Sequence, residues 1–380
     1  MNENQQQSVP ESLETRLQEL RQSISSIDQE LLSLLNQRAA ISLEVGRLKS
    51  RQAESVFKPF REKDVLEALA HQNPGPLPQK HLEAIYREIL SSSRSLQLPQ
   101  RVLYLGPEGT FSYFAGLHYL GHSAEYLPCS SLEEVFKGVR GQNAELGVIP
   151  LENSLQGTVG QSLDLFLHYD VYIQAEIFCK ISHSLLSKAE ELQCIELVYS
   201  HPQALQQCTQ WLKSHLPQTG IVPVESTAAA ARQIQDNPRQ AAIAHPALAR
   251  SLDLNVLQRN IEDLPENWTR FLVIGCTEPP AGNRDKTSLL FTLPDRPGSL
   301  ARVLNLLAGE QVNMKKLESR PLRAEKWQYV FFADVECDLS GQEYASLLQN
   351  LESNCHSLRV LGSYPNGPHL DVNQEEQICA

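Results

Sequence analysis

Arg38 and Lys49 stand eleven residues apart in a proline-free stretch. That is about three helical turns, so a helix would project both from nearly the same side. Arg38 falls between Leu34 or Leu35 and Ile41, where the apolar repeat calls for a hydrophobe, and a charge buried there needs a partner. Arg21, seventeen residues earlier, points about 100° away and could reach a different neighbour. Read singly, each also fits a solvated helix position whose stem covers apolar surface; the joint pattern is what suggests a ligand. Further along, Thr110 and Ser112 close the turn Gly106-Pro107-Glu108-Gly109-Thr110-Phe111-Ser112. Glu152, Asn153 and Ser154 follow Pro150-Leu151, and two more polar segments are Ser200-His201-Pro202-Gln203 and Asn267-Trp268-Thr269-Arg270-Phe271. Each lies beside an apparent strand, where two-lobed α/β proteins gather ligands. Arg270 is a natural carboxylate clamp, and His201 is either an acid near neutral pH or a turn residue before proline.

The elements that must position these residues follow three grammars. From Glu11 to Lys58, Leu13, Leu17, Leu20, Ile24, Ile27, Leu31, Leu34, Ile41, Val45 and Leu48 mark a helix seam. Such a helix, about 40 residues and about 60 Å long, needs a second copy to cover it. Helices at 60–71 and 79–96, separated by Asn-Pro-Gly-Pro-Leu-Pro, complete an all-α domain at 11–98. Short strands such as 102–105 and 146–149 then alternate with helical patterns such as 131–140, predicting a two-lobed α/β domain at 101–277. From 286 to 365 the order strand, helix, two strands, helix, strand predicts a ferredoxin-like βαββαβ unit, with 366–380 polar and loose.

At 380 residues the chain is expected to hold two or three domains. A net charge of -12 argues against nucleic acid as partner, so anionic ligands require local cationic clusters. The eight cysteines form no CxxC pair and have no matched His spacing, which predicts reduced thiols and no metal site. The amino-terminal segment has no secretory pattern and no apolar run of about 18 residues occurs, so no membrane role and a cytoplasmic location are expected.

Residues 11–98 resemble the all-helical chorismate mutases in Leu20-Arg21, Ile27-Asp28, Arg38, Val45-Gly46, Lys49, Arg61-Glu62 and Ser93 to Gln97. The resemblance implies a homodimer or higher homo-oligomer rearranging chorismate, with Arg21 from one subunit and the rest from the other. It implies that Arg21 and Arg38 hold carboxylates, Lys49 and Gln97 donate to the ether oxygen as catalytic residues, and Glu62 binds the ring hydroxyl. Ser93 and Arg61 support them, and Lys58, acidic in some relatives, contributes a weaker contact. A Claisen rearrangement needs no nucleophile or cofactor, only compaction and charge stabilisation. Gln97 donates at any pH.

The middle segments, with Glu225 to Ala230 and Ile261-Glu262-Asp263, resemble prephenate dehydratase. That resemblance implies loss of CO2 and hydroxide from prephenate, with Thr269 as the catalytic donor to the leaving hydroxyl. Thr110, Ser112, Glu152, Asn153, Ser154, Ser200, His201, Gln203, Arg270 and Phe271 are the implied substrate contacts. Glu152 beside a dianion must be protonated or paired. Asp295 to Leu300 and Leu317 to Pro321 resemble an ACT domain, implying phenylalanine feedback at Gly298, Ser299, Leu300, Asn313, Leu317, Glu318 and Ser319. Three other readings stay open: a helical domain that only dimerises, arogenate as the preferred substrate, and a non-catalytic two-lobed ligand-binding protein.

Overall fold

The computed structural model describes residues 13–50, 56–279, 282, 284–321 and 329–371. The described residues divide into two compact units, one formed by the long first helix with Ser93–Leu98, the other by Phe57–Ser92 and everything from Pro99 onward. In the first unit α1 runs Leu13–Ser50; the expected start at Glu11 and the stretch 51–55 lie outside the described residues. Twelve of its large apolar side chains, among them Ile24, Leu31, Leu34 and Ile41, are more than two-fifths exposed. Next come α2 (Pro59–Gln72) and α3 (Gln79–Gln97), whose last turn belongs to the first unit. Pro59 at the first helical position starts α2, because its missing N–H costs nothing there.

In the second unit β1 (Arg101–Leu105), α4 (Phe111–Leu120), β2 (Glu125–Cys129), α5 (Leu132–Arg140), β3 (Leu146–Asn153), β4 (Gly157–Thr158), α6 (Gly160–His168) and β5 (Tyr172–Lys180) build one lobe. The second lobe holds β6 (Ser184–Ser187), β7 (Leu197–Ser200), α7 (Pro202–Gln207), α8 (Thr209–His215), β8 (Gly220–Pro223), α9 (Thr227–Gln233), β9 (Gln240–Ala244), α10 (Ala247–Ser251) and β10 (Asn255–Gln258). The chain then returns to the first lobe as β11 (Trp268–Gly275). β1 and β3 run parallel, as do β7 and β9, so in each lobe the loops after the strands open at the carboxyl edge where ligands bind. β11 lies antiparallel between β3 and β5, and Leu151 is skipped in its register with β3. A bulge of that kind re-aims side chains at a strand end.

The last domain contains β12 (Lys286–Thr292), α11 (Ser299–Gly309), β13 (Met314–Pro321), β14 (Tyr329–Val335), α12 (Ala345–Asn354) and β15 (Ser357–Tyr364), in the sheet order β13-β14-β12-β15. β12 is buried throughout because both its faces are covered. Leu289 and Phe291 pack on α11 and α12, whereas Leu290 joins Phe332, Leu361 and Tyr364 against the first lobe's Phe166 and Ile173. The expectation that 366–380 is loose fails at two of the residues described. His369–Leu370 forms β16, parallel to β5, with the His369 ring stacked 4.7 Å from Phe178. Backbone pairing and one aromatic ring fix a segment that composition alone marks as polar; residues 372–380 lie outside the described residues.

Candidate active sites

In the first unit, Arg38 finds the partner its position demands: its guanidinium donates to Ser93 Oγ. Gln97 Nε2 donates to Ser93 O at 3.1 Å, and its buried Oε1 has no hydrogen-bond partner among the described residues. A Cβ on Gly46 would lie 2.7 Å from Gln97 Cα, so glycine lets α1 meet the end of α3 at that level. Lys49 is half-buried in the last turn of α1, and Arg21 is exposed. Lys58, Arg61 and Glu62 belong to the second unit, at the cap and first turn of α2, where Glu62 N donates to Lys58 O at 3.2 Å.

In the second unit, Thr269 and Asn153 are paired across β11 and β3, and Asn153 Nδ2 donates to Thr269 Oγ1 at 3.0 Å. The same amide donates to Asn267 Oδ1 at 2.7 Å, while Asn153 Oδ1 accepts from the backbone N–H groups of Leu155 and Gln156 at 3.1 and 3.2 Å. Those two acceptances fix which end of the amide faces Thr269. Asn267 Nδ2 in turn donates to Gln207 Oε1 at 3.2 Å, which also lies 2.8 Å from His183 Nε2. Burial holds the His183 pKa below its ordinary value, so the ring is neutral with its proton on Nε2 and a lone pair on Nδ1. Asn267, Gln207 and His183 were not picked out from the sequence as site residues. Asn267 sat inside a singled-out segment, but Gln207 and His183 carry no local signal and meet Thr269 only through folding.

Several expected contacts are spent elsewhere. Ser154 Oγ donates to Glu266 O and accepts from Trp268 N, pinning the end of β3 to the start of β11. Ser200 Oγ, fully buried, donates to Ile243 O at 2.6 Å. Thr110 Oγ1 donates to Leu105 O, closing the turn before α4, and Ser112 is buried in the first turn of that helix. His201 is the turn residue: it caps α7 by accepting from Gln203 N, and burial lowers its pKa. Gln203 is half-buried in that first turn. Phe271 is a core side chain packed in one cluster with Tyr104, Ala115 and Ile177.

Arg270 departs most from expectation. Strand alternation turns it to the face opposite Thr269, where it is 6% exposed and pairs with Glu176 (2.7 Å) and Asp334 while donating to Tyr364 Oη (3.1 Å). Lys286 completes the cluster by pairing with Glu176 at 2.7 Å. Two cations and two carboxylates cancel inside the junction between β11, β5 and the last domain, so this guanidinium is not a substrate clamp in this arrangement. Glu152 is the paired carboxylate that its position requires, 2.9 Å from Lys316 Nζ.

In the last domain Gly298 precedes α11 with φ 83°, a conformation that favours glycine, and Ser299 is buried while Leu300 packs on the core. Asn313 donates to Glu336 at 2.6 Å. Leu317 and Ser319 are exposed, whereas Glu318 turns to the other face and accepts from Thr158 Oγ1 at 3.0 Å. The seven described cysteines form no disulfide, and among the described residues no group of metal-ligating side chains and no helix able to cross a membrane is present.

A helical segment with a clustered Arg, Ser and Gln, a two-lobed α/β domain with an amide-held threonine, and a ferredoxin-like domain define a multidomain enzyme. Family models for chorismate mutase type II, prephenate dehydratase and the ACT domain match residues 20–98, 102–279 and 287–352. The bifunctional chorismate mutase/prephenate dehydratase of Aquifex aeolicus is 41% identical over 353 residues, covering 92% of this chain and 98% of that one. The chain belongs to this family of fused chorismate mutases and prephenate dehydratases. Among solved structures, the prephenate dehydratase of Arthrobacter aurescens in complex with L-Phe is similar at TM-score 0.65 and 32% identity, over 70% of this chain and 90% of that one. A protein described as a novel type of quorum-quenching acylase is similar at TM-score 0.64 and 29% identity, over 71% and 99%. Architecture alone therefore does not name the reaction, and the side chains must.

Proposed function

We propose that this enzyme converts chorismate to prephenate through its helical residues and prephenate to phenylpyruvate in the two-lobed domain, with phenylalanine as feedback inhibitor. The domains span 11–98, 101–277 and 286–365, the enzyme works in the cytoplasm, and exposed α1 pairs with a second copy as a homodimer. For the first step Arg21 and Arg38 hold the carboxylates, Arg21 coming from the partner subunit, while Lys49 and Gln97 donate to the ether oxygen. The unpaired Gln97 Oε1 leaves that side chain free to rearrange around a ligand. Glu62 binds the ring hydroxyl, with Lys58, Arg61 and Ser93 in support.

For the second step the observation that carries the reading is the hydrogen bond from Asn153 to Thr269. With an amide N–H occupying one lone pair, the Thr269 O–H is directed elsewhere, as a donor to the hydroxyl that leaves. The C–CO2 bond pair moves into the ring, the C–O bond pair departs with oxygen, and aromatisation drives both. Thr269, Asn153, Asn267, Gln207 and His183 are all uncharged near neutral pH, so this network orients and hydrogen-bonds instead of supplying a strong acid. Buried Gln207 Nε2, with no partner among the described residues, is a ready donor for a substrate carboxylate. Phenylalanine binds at Gly298 to Leu300 and Asn313 with Leu317 and Ser319; the L-Phe complex of the Arthrobacter relative supports that choice of effector.

The test is phenylpyruvate formation from prephenate by wild type and Thr269→Ala, with chorismate consumption and arogenate turnover assayed alongside. Loss of one positioned donor lowers kcat about 10²- to 10³-fold, and only for the dehydratase step. Equal loss of chorismate consumption would overturn two separate centres.

A further inference from the structure

β13 is an edge strand whose side chains alternate strictly: Lys316, Glu318 and Arg320 are half-buried on one face, while Leu317 and Ser319 are exposed on the other. The half-buried face meets the catalytic lobe. Lys316 Nζ lies 2.9 Å from Glu152 Oε1 and donates to Thr158 Oγ1 at 2.8 Å; that hydroxyl donates onward to Glu318 Oε2 at 3.0 Å. Arg320 pairs with Asp164 of α6 at 3.3 Å, and its guanidinium lies where a Cβ on Gly160 would stand. Glu152 and Thr158 are directly opposite each other in the β3–β4 hairpin, and the next pair in that register is Asn153 with Gly157. One lysine of the C-terminal domain therefore grips both strands of the hairpin, one residue from the amide that holds Thr269.

We propose that Lys316 is a positioning residue of the dehydratase centre, and that effector occupancy is transmitted by moving β13 against the Glu152–Thr158 hairpin. The proposal rests on the phenylalanine-feedback reading above. Among the polar contacts that join the domains, two differ in kind. The Arg270, Glu176, Lys286 and Asp334 cluster is 0 to 9% exposed, so sliding it would strand a buried charge. The Lys316 contact is edged by solvent, with Glu152 35% and Glu318 32% exposed, and its partners can be exchanged for water. The buried cluster is the pivot and the β13 face is the part that moves. Lys316 also neutralises Glu152 close to a centre that must receive a dianion.

The experiment uses the full chain and compares wild type with Lys316→Met, Lys316→Arg, Thr158→Val and the Lys316→Met/Thr158→Val pair. Dehydratase kcat and KM, inhibition by phenylalanine, chorismate turnover and melting temperature are measured for each. Lys316→Met is expected to lower dehydratase kcat about tenfold or more with little change in KM, and to weaken inhibition, while chorismate turnover stays intact. Lys316→Arg should restore part of kcat, and the double variant should be no worse than Lys316→Met, because both changes break one contact. Unchanged kcat and inhibition in Lys316→Met, with wild type active and inhibited, would overturn the proposal and leave the activity assignment standing. A wild type that makes phenylpyruvate but ignores phenylalanine would overturn the transmission route together with the feedback reading; kcat of the variants then decides positioning alone. Should Lys316→Met not fold, Thr158→Val carries the same comparison, and full kcat and full inhibition in it would likewise sink the idea.

Discussion

At His201 the ring nitrogen that could have served chemistry accepts the Gln203 N–H and caps α7. Asparagine caps helices equally well, so His201→Asn should keep dehydratase kcat within a fewfold and leave its pH profile unmoved. A fall of about 10²-fold or more would instead mark a general acid. The contrast with Thr269 is local: both residues are polar and near strand ends, but the threonine oxygen is held by an amide donor whose own acceptor is locked by two backbone N–H groups. Glu152 resolves the same way, since the sequence demands a partner for it and the fold supplies Lys316 from a strand more than 160 residues later.

At the scale of elements, α1 is the outlier. Its seam was plain in the sequence, and the single chain leaves it largely exposed from Leu13 to Leu35. Leaving so contiguous an apolar stripe in water costs about 25 cal/mol per Å2 of surface that a partner could cover. If α1 pairs with a second copy as proposed, Leu31→Lys should shift the enzyme from dimer to monomer in sedimentation equilibrium and lower chorismate turnover with it. A variant that stays dimeric would place the subunit interface elsewhere. The sheet of the last domain makes the complementary case: β12 reads as an ordinary apolar strand, and only its two covered faces explain why Leu289 and Leu290 are both buried.

For the whole molecule, acid sensitivity follows from histidines folded in neutral form. His245 is fully buried, stacked 4.0 Å from Phe114, and its pKa is pushed down to about 3 by burial first and then by His118, His183 and Arg259. His183 and His201 are lowered in the same direction. A histidine whose folded pKa lies below its unfolded value contributes stability present above about pH 6.5 and lost as pH falls toward 3, because the unfolded chain takes up the proton first. For His245 alone the slope reaches about 1.4 kcal/mol per pH unit. Urea midpoints of the transition that reports the two-lobed domain should fall between pH 7 and pH 5, and His245→Asn should flatten that fall. Identical midpoints across the range would mean that these rings are protonated in the folded state.

Much was determined by the sequence alone: three successive patterns of apolar spacing, the boundaries of α2, α3 and the βαββαβ order, and the segments that carry Arg38, Asn153 and Thr269. Periodicity and turn chemistry are local, and so they can be read along a chain. Tertiary structure alone decided which polar groups meet. Alternation says that Thr269 and Arg270 face opposite ways, but not that one meets the Asn153 amide while the other is sealed by Asp334 and Tyr364. Ser154, Ser200 and Thr110 carry the same hydroxyl chemistry as Thr269, and only the carbonyls nearest to them settle that their protons are already committed. A hydrogen bond is decided within a few tenths of an ångström, and that distance is set by residues far away in the chain.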